Sequence, residues 1–564
     1  MRSFLARVMV PAAVLVSGCS DSSGPDPDPV VSCDAADATA STVAMAPFQA
    51  RTFRASELNE CAWVTGNGAK YLVVPQFATA TGTRSLIRYA LGNGGSLTAA
   101  ARATESQTLS PAARLDNVLR QIERRLAPNA ATAARELRAL ALSAQGGRGP
   151  SLQVVGTTRT FKVLSAIPAN SQQQLQFDTV TATLRFAGQN ILIYIDQQAP
   201  SGPNGLSDSV ITKLGTWFDR DLYAIGVNTF GSESDIDAND RVIVLMTPVV
   251  NGLTPRTACE VVVSGFFFGL DLEDLPNSNR GEVFYSLVPD PQGQFSCPRS
   301  VAVVEGSTPP TFIHEFQHMI SYNQHTIVRP GGVDEDTWLN EGLSHIAEEV
   351  AARFYDNKYP NLPPGRLFSD TANIFINNDL ANGYQFLEST PTTSLTLFES
   401  TGTLEERGAA WLFLRWLADQ KDSTIFGRLV QTNLTGVANI ENVTAESFPV
   451  LFGDWAIALW TDSIPGHPRT SVPARNRYKS RNLRQIYARL NAIAPQVFPR
   501  VYPLVLRPLG VGASIESSMY PGTMEYFETT SPPADPAIGF RFSRPDGQVF
   551  AASLRAQLGL FRLP

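Results

Sequence analysis

Five histidines are spread over 564 residues, and two of them, His314 and His318, flank a glutamate in the run FIHEFQH (312–318). On an α-helix, residues four apart share a face, so both imidazoles can reach one metal ion. Glu315, beside the first histidine, is placed to act as general base on a metal-bound water. The surrounding TFIHEFQHMI is apolar, which suits a ligand pair on a buried helix lining a cleft. Catalytic zinc takes three protein ligands and leaves a fourth position for water. His325 is a poor third ligand: on a continued helix it stands roughly 10 Å along the axis from His318, and Ser321 offers no glycine turn to bring it back. Two candidates remain in WLNEGLSHIAEE (338–349): Glu341, and His345 one turn later on the same face. Glu348, seven residues past Glu341, sits where a carboxylate can orient a ligating imidazole, a task open to His345 as well.

HEFQHMI followed by WLNEGLSHIAEE resembles the gluzincin zinc metallopeptidases, and within them the hyicolysin-like family. The likeness is strong over about 311–350 and weaker over roughly 180–460, through NILIYID, GAAWLFLRWLADQ and FGDWAIAL. It implies that the glutamate of the NEG stretch, Glu341, is the third zinc ligand beside His314 and His318, with Glu315 as catalytic base. It also implies a zinc-dependent endopeptidase that hydrolyses extracytoplasmic proteins or peptides by metal-activated water. Gluzincins place a tyrosine near the start of a later helix to stabilise the oxyanion. The matching stretch here, GTLEERGAAWLF, has none, which leaves Arg407 and Tyr384 as candidates. The Gly-x-Met-Glu-Asn strand by which related aminopeptidases grip a substrate N-terminus is also absent; RSVAVVEGSTPP stands there, so endopeptidase action is the expectation. The alternative function is a surface binding or adhesin lipoprotein with an inactive metallopeptidase domain. Glu315 argues against it, because holding a metal does not require that residue.

These residues need a sizeable scaffold, and the chain is long enough for several domains. A composition that is 43% hydrophobic and 17% charged is that of a globular protein. A net charge of −7 without any Lys/Arg run argues against nucleic-acid binding. Residues 1–19 read as a signal peptide whose VSGC end resembles a bacterial lipobox, implying lipid attachment at Cys19. The expected location is therefore extracytoplasmic: lipid-anchored to a bacterial membrane, the outer one favoured because Ser20 and not Asp follows Cys19, or secreted. Residues 20–45, with SDSSGPDPDP, read as a flexible tether. The remaining cysteines, Cys33, Cys61, Cys259 and Cys297, suggest two disulfides, with sequence proximity favouring 33–61 and 259–297.

The expected fold is α+β and multidomain. A β-rich N-terminal domain with a helical arm spans 46–150, the arm read as a helical hairpin or a processed propeptide. A zincin-like metallopeptidase domain with a mainly helical C-terminal subdomain spans 151–470, and a β-rich C-terminal domain spans 471–564. KYLVVPQF, NILIYID and RVIVLMTPV have strand character; 309–325, 338–357, 404–420 and 444–462 have helical periodicity. In DIDANDRV, Asp235, Asp237 and Asn239 alternate as at the start of an EF-hand loop, without its glycine or its closing glutamate. The stretch reads as a polar turn with calcium as a subsidiary expectation.

Overall fold

The computed structural model describes Cys33, residues 42–94 except 59, 97–99, 110–146, and 153–564 except 330, 364 and 397–401. The expectations for the signal segment, Cys19 and most of the tether fall outside these residues. Mixed α+β architecture with several domains is what the structure has: a helical subdomain, a six-stranded sheet, and β-rich flanks.

The six-stranded sheet has the order Gly265–Phe267, Val283–Ser286, Val242–Met246, Ile191–Asp196, Phe177–Ala187, Thr158–Leu164. Its centre is parallel, Val242–Met246 pairing with both neighbours in that sense. Every residue of that strand is buried, as expected where helices cover both faces. Gly265–Phe267 forms the edge nearest the first motif helix.

That helix runs Val301–Tyr322 and is capped by Ser300, whose hydroxyl accepts from the Val303 amide at 3.3 Å. It begins eight residues before the expected start, because Pro309 and Pro310 lie inside it and do not open it. The RSVAVVEGSTPP stretch therefore forms the helix entry, not a strand. The helix continues through a π-helical turn, Asn323–Ile327. The second motif helix, Thr337–Lys358, buries Leu339, Leu343 and Ile346 completely; each such side chain contributes about 1.5–3 kcal/mol relative to exposure. Helices Asp370–Glu388 and Leu404–Gln420 pack against it. Gly342 permits that approach: a Cβ there would stand 2.8 Å from Leu414 and 3.0 Å from Ala410.

The two β-rich flanks are not separate domains. N-terminal strands Ala50–Arg54, Lys70–Phe77 and Ile87–Gly92 pair with C-terminal strands Ala556–Arg562, Phe527–Thr530 and Ser514–Met519, in two five-stranded sheets around one apolar core. Turn signals delimit strands, but only long-range pairing decides which strands share a sheet. Helix Phe448–Thr461 ties this module to the helical part: Tyr526 donates to the Ala456 carbonyl at 2.7 Å and Gln557 to that of Pro449 at 2.8 Å.

The arm is one helix, Pro111–Gln145, with Pro128 inside it, and not a hairpin. It packs on the six-stranded sheet and the helical part through Leu115, Leu119, Ile122 and Ala134. Disulfides join Cys33 to Cys61 and Cys259 to Cys297, the pairing favoured by proximity. Among the described residues no helix is long and apolar enough to cross a membrane.

Candidate active site

One helical turn brings the rings of His314 and His318 to a centroid separation of 4.9 Å. Glu341 enters from the second motif helix, its Oε2 3.8 Å from His314 Nε2 and its Oε1 3.6 Å from His318 Nε2. Both Nδ1 atoms face away and are engaged: that of His314 with Glu348 Oε1 at 2.8 Å, that of His318 with Asn340 Oδ1 at 3.0 Å. Such contacts fix ring orientation and direct the other nitrogen toward a metal. Burial and the nearby Arg120 lower the His318 pKa well below its ordinary value, so this ring is neutral, the form that ligates.

Glu341 is 1% exposed, yet neither carboxylate oxygen has a hydrogen-bond partner. Burial alone raises its pKa, but the positive charge of Arg407, with Arg120 farther off, outweighs burial and holds it at about 2. A buried carboxylate without hydrogen bonds is costly unless a cation satisfies it. His314, His318 and Glu341 present ligand atoms within 4.8 Å of one another, so two imidazoles and a carboxylate of the zinc-binding type fit a metal here. His314, His345 and Glu348 also meet that distance. The first set is favoured because its carboxylate accepts no hydrogen bond, whereas Glu348 already accepts from two rings.

Glu315 points from the same helix turn to the sheet edge, its Oε2 accepting from the Phe267 amide at 2.8 Å. Burial, reinforced by Asp116 and Glu341 and opposed by His314 and Arg120, pushes its carboxyl up to about 7. A group in that range can take and return a proton near neutral pH. His345 does not face Glu341. Its Nδ1 lies 3.1 Å from Glu348 and 2.9 Å from Asp379 Oδ1. Those two hydrogen bonds outweigh burial and raise the ring to about 10, making it a cation that anchors Glu348.

A cavity of about 310 Å³ opens onto His314 and Glu315, bordered by His345, Glu348, Arg407 and Asp116. Larger cavities exist, one of about 1130 Å³ beside Arg220 and Phe354, but it contains none of this chemistry. Arg407 reaches the site, its Nη1 3.8 Å from Glu341 and its Nη2 paired with Asp116. Tyr384 does not: its hydroxyl is bound to the backbone of Arg500, accepting from the amide at 2.7 Å, and its ring packs on Tyr487 and Phe498. His325 is likewise elsewhere, buried 3.6 Å from Glu335. The Asn239 Oδ1 accepts from the Arg241 amide at 2.6 Å.

Sequence reasoning missed Asn340, Asp379 and the arm. Asn340 could have been found, since it adjoins Glu341 in the same motif. The arm could not: Asp116 pairs with Arg407, Arg120 donates to the Phe267 carbonyl at 2.9 Å, and Glu123 accepts from the Gly269 amide at 2.6 Å. The arm helix thus lies along the sheet edge that also positions Glu315.

No family model matches the sequence. Over 331 residues, 57% of this chain and 67% of the other, it is 23% identical to the neutral metalloprotease ShpI of Staphylococcus hyicus. A distant metalloprotease relative and a buried His/Glu cluster able to hold a metal together fit, in general terms, a zinc peptidase.

Proposed function

We propose that the protein is a zinc endopeptidase of gluzincin type, close to the hyicolysin-like pattern, acting on extracytoplasmic proteins while anchored through lipid on Cys19. The observation that carries the enzymatic reading is the pair of buried Glu341 oxygens, neither accepting a hydrogen bond, facing the Nε2 atoms of His314 and His318. Zinc bound there would act as a Lewis acid on the scissile carbonyl and acidify a water. The chain's own groups do the rest. Glu315, steadied by the Phe267 amide, takes the proton of the attacking water and delivers it to the leaving amine. Arg407 supplies positive charge to the developing oxyanion, the task a tyrosine performs in the family pattern. Glu348 and Asn340 hold the two rings, and protonated His345 holds Glu348.

Elemental analysis of the full chain beside Glu341→Ala tests the metal site. The expected result is about one zinc per chain, sharply reduced in the variant. A folded wild type that takes up no zinc when it is supplied would overturn the peptidase reading and favour a surface binding protein.

A further inference from the structure

Beyond the His/Glu cluster, one other group of described side chains has metal-binding geometry. One carboxylate oxygen from each of Asp235, Asp237 and Glu282 lies within 4.8 Å of the others. Glu282 is the telling member. It is 1% exposed, it immediately precedes strand Val283–Ser286, and its Oε1 accepts from the Ser234 hydroxyl and the Ile236 amide at 2.6 and 2.8 Å. Its Oε2 is buried with no partner.

The loop is arranged to present oxygens to the same spot. The amides of Asn239 and Asp240 donate to Asp235 Oδ1 at 2.9 and 3.0 Å, and the Asn239 side-chain amide donates to Asp237 Oδ2 at 2.6 Å. Asp240 has a positive φ of 58°, at the position where an EF-hand loop carries its glycine. Two cations adjoin the cluster. Arg138 of the arm pairs with Asp235, and Arg159 acts on Asp237. Neither is hydrogen-bonded to Glu282 Oε2, so three carboxylates in partial burial remain under-compensated.

We propose that Asp235, Asp237 and Glu282 bind a calcium ion, with Glu282 replacing from a distant strand the glutamate that the loop lacks. The donor set is all oxygen, without histidine or cysteine, which selects a hard cation over zinc. Its irregular loop-plus-strand origin suits calcium, which tolerates 6–8 oxygens in flexible geometry, better than magnesium, which demands a near-regular octahedron. The ion would pin the entries of two neighbouring parallel strands, Val242–Met246 and Val283–Ser286, already joined there by the Ile243 amide on the Glu282 carbonyl at 2.7 Å. The proposal is independent of the peptidase reading.

The test is calorimetric titration of calcium chloride into the metal-depleted full chain given one equivalent of zinc, with thermal melts in parallel. About one calcium per chain should bind, and Tm should rise with calcium as expected for a ligand of the native state alone. In Asp237→Asn and Glu282→Gln, affinity should fall by roughly tenfold or more with zinc content unchanged. The Glu282→Gln side chain keeps an acceptor for the Ile236 amide, and Asp235→Asn serves if that variant misfolds. No calcium binding at millimolar concentration, or unaltered affinity in the variants, overturns the proposal.

Discussion

The two metal-shaped clusters of this molecule are assembled in opposite ways. The His314/His318/Glu341 cluster sits between two packed helices, and each imidazole is held from behind by a side chain of the second helix, Glu348 or Asn340. The Asp235/Asp237/Glu282 cluster is held by main-chain amides of its own loop and by the start of a strand. Nitrogen donors need an orienting partner because a ring has one direction in which to point its lone pair. Carboxylates of a hard-cation site need only be gathered, and amides gather them. The first arrangement suits chemistry at a fixed point; the second suits joining segments.

Glu315→Gln separates metal holding from catalysis most sharply. The amide keeps an acceptor for Phe267 but cannot take a proton. Peptidase turnover should fall by about 10²–10⁴-fold with zinc content and calcium response both as in wild type. Zinc assay, casein hydrolysis and calcium melts on one preparation check this. Undiminished turnover would remove Glu315 from the mechanism.

Glu348→Gln probes the orienting partner. Its carboxylate joins His314 to the His345 cation, so neutralising it weakens both contacts. Zinc affinity should drop by about 10–100-fold, measured by competition with a zinc chelator, while calcium affinity stays constant. A parallel loss of calcium affinity would mean that the two clusters are energetically one.

The same contrast explains what the sequence reveals. His314, Glu315 and His318 are legible because helical spacing alone places them together. Glu341 is one of two candidates on spacing, and family resemblance selects it. His345 shares its helical face yet points to Asp379, a residue with no motif around it. Glu282 lies beyond any local pattern: the EF-hand-like loop and its missing glutamate are visible in the sequence, but only the pairing of parallel strands brings Glu282 alongside. The mixed α+β class and the central strands Ile191–Asp196 and Val242–Met246 of the six-stranded sheet follow from apolar runs. The mingling of N- and C-terminal strands does not, because alternation defines a strand's faces and not its neighbours. Arg407 and Tyr384 are equal candidates in the sequence; tertiary packing sends one to the cleft and the other to the backbone of Arg500.

A third buried acid calibrates the comparison. Glu273 belongs to neither cluster; among the described residues it accepts from the Tyr322 hydroxyl at 3.1 Å, and burial raises it from its ordinary value to about 7 against the pull of that bond. Between about pH 4.5 and 7 the folded chain therefore retains at this site a proton that the unfolded chain releases. The unfolded state binds fewer protons there, so stability falls as pH rises through that window and levels off above it. Glu273→Gln keeps an acceptor for Tyr322 and abolishes the titration. Relative to wild type, the variant's Tm should gain as pH rises from 5 to 7.5, by a few degrees at most. Added calcium should leave that gain unchanged, since Glu273 belongs to neither cluster. A Tm difference that is the same at both pH values would show that burying this carboxylate carries no proton linkage.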